Sequence, residues 1–220
     1  MPFLAPVAWV VAHVPAVSSA ARCRRPSAVW RRVALLAAAV LIASGALAAC
    51  SPRAEVGIAK VTTAPQVDGV LSGYPGEPLR VAGAEVSVVH NGEMVYVHLS
   101  APAQGWLAAG FNRSGGAMDG ANLILGILGA EGEFDVQNHV GRGFAHGPVP
   151  SPVDFAAHVS RQGDRTVLEF AYPLRFPGEN DFALTGLASG ETVLLVVAYH
   201  RSAASFLKHS SRGAVALRVQ

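Results

Sequence analysis

Glycine and proline cut the chain beyond residue 64 into short runs, and this spacing constrains the fold more than any other feature. The runs alternate or are apolar throughout, as half-buried or buried strands do. In "AEVSVVH" Val86 and Val88 share one face; "NG" at Asn91 and Gly92 then marks a hairpin turn. "EMVYVHLS" answers it, with Val95, Val97 and Leu99 on one face and Met94, Tyr96 and His98 on the other. The runs "WLAAGF", "NLILGIL", "EFDVQNHV", "FAAHVS", "RTVLEFAYPL", "TVLLVVAYH" and "AVALRV" follow. None of this stretch makes a long amphipathic helix. Short strands so spaced predict an all-β, antiparallel β-sandwich whose strand order the pattern leaves open.

The first 49 residues have a different character. From Val33 to Ala49 no side chain is charged, while Arg22, Arg24, Arg25, Arg31 and Arg32 stand ahead of that run with no acid among them. A basic segment, an apolar segment and small residues in that order describe a secretory signal. It ends in "LAAC" at Leu47–Cys50, the pattern of a bacterial lipobox, which implies cleavage before Cys50 and a lipid on its thiol. The apolar "MPFLAPVAWVVAHVPAV" ahead of the arginines makes a two-part signal, or else synthesis starts at Val29. The expected organisation is therefore a leader over 1–49, a lipidated Cys50 with a tether to residue 63, and one β-sandwich domain over 64–220. The expected location is the bacterial cell envelope, at the surface of the outer or the plasma membrane. Ser51 after the cysteine favours the outer membrane of a diderm bacterium.

Removing the leader changes the charge balance. It takes five arginines and no acids, leaving 12 basic against 15 acidic side chains, so the basicity of the whole chain does not point to nucleic acid. Cys23 lies in the leader and Cys50 is expected to carry lipid, so the domain has no cysteine pair for a disulfide. It must stand on its core or on a bound group.

The segment "GWLAAGFNRSGGAMDGANLILG", Gly105–Gly126, contains two apolar strands joined by a Gly-rich turn with Met118 beside Asp119. Methionine has no conformational reason to be in such a turn. "GWLAAGF" followed by "MDGANLILG" resembles the signature of DOMON domains, named for the N-terminal region of dopamine β-monooxygenase. "VDGVLSGY", "GEMVYVHLSAPAQGW", "FDVQNHVGRGFAHGPVPSPVD" and "FLKHSSRGAVALRV" resemble further family segments in the family's order, over roughly Gly57 to Val219. The resemblance implies an immunoglobulin-like β-sandwich that binds haem, or else sugars and other small ligands. In haem-binding members the turn methionine is an axial iron ligand, facing a histidine near the C-terminus or, in relatives associated with a hydrocarbon dehydrogenase, a lysine. Met118 matches the methionine and His209 the histidine; Lys208 stands next to it and His200 is a rival.

A Met/His pair suits electron transfer, because it fills both axial positions and raises the potential. No CxxCH occurs, so the haem implied is haem b, held without covalent bonds. Trp106, Phe111, Gly116 and Asp119 are the other expected pocket residues, within a Gly115–Gly120 turn that lets backbone approach a flat macrocycle. Each has a plainer alternative. Met118 serves as flexible filler at the end of the sandwich, and Trp106 anchors the core with Phe111 or offers a stacking platform to a sugar. Asp119 caps its own turn. His139 and His146 are expected as ordinary loop histidines, and His90 and His98 at the surface. No paired carboxylates, nucleophile elbow, phosphate-cradling loop or zinc spacing is present, so no enzyme activity is expected. The expected function is an exported, membrane-anchored b-type haem electron-transfer module serving an envelope redox partner. The alternative is a non-haem sugar or small-molecule binding and sensing module.

Overall fold

The computed structural model describes residues 56–113, 116, 118–129, 131–150, 154–174, 187–202, 206 and 208–220. The leader and Cys50 lie outside the described residues. The domain is all-β, with twelve strands among the described residues: β1 (Val56–Lys60), β2 (Leu79–Val81), β3 (Ala84–His90), β4 (Met94–Ala101), β5 (Leu107–Asn112), β6 (Asn122–Leu128), β7 (Phe134–Arg142), β8 (Ala145–Pro148), β9 (Ala156–Gln162), β10 (Arg165–Pro173), β11 (Thr192–Tyr199) and β12 (Ser211–Val219). The first sheet runs β8-β7-β6-β5-β11-β12-β1, and the second β1-β3-β4-β10-β9, with β2 also on β3.

β1 belongs to both sheets. Val56, Gly57 and Ile58 pair in parallel with Leu217, Arg218 and Val219, and Ala59 and Lys60 pair in parallel with Val89 and His90. All other pairings are antiparallel. The expected tether to residue 63 is therefore corrected: Val56–Lys60 are part of the sandwich, with Ile58 buried in its core. Five residues with two alternating aliphatics make a weak periodic signal, and the parallel partners lie far along the chain.

The core between the sheets follows strand parity. Val86, Val95, Val97, Leu99, Leu168 and Phe170 face inward from the second sheet, and Leu107, Phe111, Ile124, Leu195, Val197 and Leu217 from the first. The Asn91–Gly92 turn joins β3 to β4 as expected. Asn91 Oδ1 accepts the N–H groups of Glu93 (2.9 Å) and Met94 (2.8 Å), and Gly92 takes φ 104°, the region where glycine carries no Cβ penalty.

The outer face of the second sheet is covered by the chain preceding β2. Glu169 of β10 is fully buried there. Its carboxylate accepts the backbone N–H of Asp68 (2.9 Å) and Gly69 (2.6 Å) and the hydroxyl of Tyr74 (2.9 Å). Tyr74 also packs on the His98 ring with centroids 5.9 Å apart. His98 is consequently buried, not at the surface, and His90, on the core-facing side of β3 with Val86 and Val88, is buried as well. The covering segment turns an outward strand position into an interior one, and burial pushes the His98 imidazole below its ordinary value. His90 Nε2 lies 2.6 Å from the Gln220 carbonyl.

Glu169→Ala is expected to leave three donors without their acceptor and to cost on the order of 3 kcal/mol of unfolding free energy. Tyr74→Phe removes one hydrogen bond and costs about 1 kcal/mol. Urea unfolding of both variants checks the order; equal losses would show that the carboxylate does not hold the segment.

Candidate functional site

Side chains on the first sheet that do not reach the core point to its other face, and that face is apolar too. Trp106, at the entry to β5, and Ala108 form a separate buried cluster with Ala121 and with Leu123 and Leu125 of β6. Met118 and Phe206 pack against it. A cavity of about 210 Å³ opens over this face. Its walls come from Trp106, Leu123, Leu125, Val196, Ala198 and Ala214, and four polar or soft side chains share it: Met118, His146, His209 and Arg212. It continues into a cleft rimmed by Phe144, Phe206 and Lys208.

The turn that carries Met118 is held from two sides. Asn112, buried at the end of β5, donates through Nδ2 to the carbonyls of Gly116 and Asp119, the latter at 2.9 Å. Below the turn lies Gly141 of β7. Gly120 N–H donates to the Gly141 carbonyl (3.0 Å), Gly141 N–H to Ala121 (2.9 Å), and Ala121 N–H to Met118 (2.9 Å). A Cβ on Gly141 would overlap the Met118 carbonyl group, so the absence of a side chain there lets the turn lie flat on β7.

Three of the residues expected at the site do meet there. Met118, Trp106 and His209 come together on one cavity, with Lys208 at its outer cleft. Phe111 is corrected: it lies in the core between the sheets, because it is five positions from Trp106 and an odd offset along a strand changes face. For the same reason Trp106 does not anchor that core with it. Gly116 and Asp119 do not line the cavity either. The Gly116 carbonyl turns back to Asn112, and Asp119 Oδ1 accepts the Gly143 N–H at 2.7 Å, tying the turn to the β7–β8 hairpin. His200 is also outside the cavity lining; its Nδ1 accepts the Ser202 N–H at 3.1 Å. Gly115 lies outside the described residues.

Two site residues go beyond the expectation. Gly141 is one. His146 of β8 is the other, lining both the cavity and its cleft instead of standing in an ordinary loop. Its partner His139 is buried on β7, with ring centroids 5.1 Å apart and Nδ1 atoms 2.8 Å apart. "FDVQNHV" places Asp135, Gln137 and His139 at alternate positions, but only the pairing of β7 with β6 and β8 shows that this row faces the cavity side.

The three imidazoles are all pushed below the ordinary histidine value, first by burial. For His146 the nearby His209 adds to the effect, for His139 the nearby His146, and for His209 the Arg212 guanidinium. Each is thus favoured in its neutral form, the form with a lone pair for a metal. Trp106 contributes an oddity of its own: its indole Nε1 is buried and has no hydrogen-bond partner among the described residues. The Phe206 ring stands edge-on to it at 6.3 Å.

Chemically this is an apolar slot holding a thioether and two neutral imidazoles, with Lys208 and Arg212 at its margin. It fits haem b: soft and imidazole donors for iron, apolar walls for a macrocycle, and cations for carboxylate side groups.

No family model matches the sequence, and no curated protein matches it. Among solved structures, the chain is similar to the cytochrome domain of Myriococcum thermophilum cellobiose dehydrogenase at 13% identity, over 73% of this chain and 80% of that one, with a TM-score of 0.48. It is similar to the cytochrome b domain of pyranose dehydrogenase from Coprinopsis cinerea at 14% identity, over 61% and 76%, with a TM-score of 0.46. It is also similar to a family 9 carbohydrate-binding module from Caldicellulosiruptor kristjanssonii in complex with cellotriose, at 7% identity, over 76% and 93%, with a TM-score of 0.43. The likeness is one of β-sandwich architecture, shared by cytochrome b domains and carbohydrate-binding modules, and neither ligand class follows from it.

Gly141→Ala is expected to lift the Met118 turn from β7 and to cost about 1–3 kcal/mol. Urea unfolding measures the loss. A variant as stable as the parent would show that the turn does not rest on Gly141.

Proposed function

We propose that the protein is a b-type haem electron-transfer module of the DOMON family. One observation carries this reading: the turn between β5 and β6 delivers a thioether, Met118, into the wall of an apolar cavity that neutral imidazoles also line. A bound haem would supply a one-electron iron couple. The chain's own residues do the rest. Met118 offers a soft neutral ligand that favours the reduced metal. Leu123, Leu125, Val196 and Ala198 keep water from the slot, and Phe206 closes over Trp106. Lys208 and Arg212 set cations where carboxylate groups of the ligand would meet solvent.

A sugar-binding reading rests on the unpaired Trp106 indole N–H. Against it, Trp106 is only 3% exposed and its ring carries Phe206 edge-on, whereas a stacking platform needs an open aromatic face. The haem reading is the better supported.

In this reading the module has no catalytic activity of its own. It is exported, held to the cell envelope by lipid on Cys50, and exchanges electrons with another envelope protein. Cys50→Ser is expected to move the protein from the membrane to the soluble fraction of cells; unchanged membrane association would end the lipid-anchor reading.

The purified protein is expected to take up one equivalent of haem b and to show a sharp low-spin spectrum on reduction. Met118→Ala should lose the low-spin form, and Met118→His should keep it with a more negative midpoint potential. A parent protein that takes up no haem would retire the reading, and titration with oligosaccharides would then test the second one.

A further inference from the structure

The cavity holds two imidazoles, and their hydrogen bonds treat them differently. Asp135, Gln137 and His139 stand at alternate positions of β7, opposite Ile127, Leu125 and Leu123 of β6. Gln137 Nε2 donates to Asp135 Oδ2 at 2.7 Å. A carboxylate only accepts, so this bond sets the orientation of the Gln137 amide and turns its Oε1 toward His139. His139 Nε2 lies 2.8 Å from that oxygen and must donate to it. In a neutral ring Nδ1 is then the acceptor, and the Nδ1 of His146 at 2.8 Å must carry the proton of that contact. The lone pair of His146 is left on Nε2, in a side chain that lines the cavity.

His209 is placed otherwise. Its Nε2 lies 3.4 Å from Arg212 Nη1, and guanidinium only donates, so the His209 lone pair is turned toward a cation. A histidine that ligates a metal usually donates its other ring N–H to an acceptor that fixes its tautomer and raises its basicity. His146 has that support in a chain ending on a carboxylate.

Resting on the haem reading of this cavity, we propose that His146, not His209, is the imidazole that ligates the iron, and that Asp135, Gln137 and His139 are positioning residues that present its Nε2. His209 then stands as a neutral imidazole beside Arg212, at the margin where Arg212 and Lys208 are the cations.

The test uses the full chain loaded with haem b, alongside His146→Ala, His209→Ala and Gln137→Leu, each checked by thermal melting. His146→Ala should lose the low-spin reduced spectrum and regain it on addition of imidazole. His209→Ala should keep the spectrum. Gln137→Leu should also keep it, while its midpoint potential moves positive, because an imidazole without its acceptor chain is a weaker donor to the oxidised metal. Imidazole rescue confined to His209→Ala would overturn the assignment while leaving the haem reading intact. An unmoved potential in Gln137→Leu would overturn the positioning role. In the ligand-free protein, nitrogen-15 shifts should show His146 protonated on Nδ1; an Nε2–H tautomer would overturn the relay. A parent that takes up no haem overturns this assignment and the proposed function together.

Discussion

A two-layer β-sandwich buries one face of each sheet, and here both sheets also carry apolar or easily buried side chains on the other face. Trp106, Leu123 and Leu125 cannot turn inward, because the alternate positions of the same strands already fill the core. Leaving such a face to water would forfeit roughly 25 cal/mol for each Å² of apolar surface left uncovered. Something outside the two layers therefore has to cover each sheet. Most of what distinguishes this domain follows from how that is done.

The two sides meet the requirement differently. On the second sheet the segment before β2 lies down on Tyr96 and Ala171, and Glu169 pins it through backbone donors and Tyr74. A buried carboxylate with its acceptors engaged makes a closed, specific cover. On the first sheet the cover consists of separate pieces: the Met118 turn, the β7–β8 hairpin and the Phe206 side chain. They meet the sheet at its margins and leave space over its centre. One sheet thus has a lid, and the other has a cavity whose walls were supplied by the need to shield apolar residues.

Parity explains what the sequence discloses. Alternation in "EMVYVHLS" identifies a strand and sorts its faces, so Val95, Val97 and Leu99 are legible as core. The same rule separates Trp106 from Phe111, and carried through the strand it keeps Phe111 out of the pocket. Met118 is legible because a thioether in a Gly-rich turn has no local purpose. His146 is not, since its role depends on β8 pairing with β7 and on a hydrogen-bond chain that starts at Asp135. Gly141 sits in a "GRG" that resembles any turn, and only the overlap of a Cβ with the Met118 backbone reveals its purpose. The burial of His98 is hidden for a related reason: the segment that covers it lies 24 positions or more away in sequence, from Tyr74 back to Asp68.

β1 carries a consequence of another kind. It is the first described strand, yet its partners on one side are Leu217, Arg218 and Val219, and the Gln220 N–H reaches back to the Ile58 carbonyl at 3.3 Å. A chain emerging N-terminus first can form the β3–β4 hairpin early, but the seam that joins the two sheets has no second side until Leu217, Arg218 and Val219 have been made. Such pairing between distant parts of a chain is slow, because loop-closure entropy must be overcome before the contacts reward it. Until then β1 has only β3 beside it, and the two sheets stay unjoined along that strand.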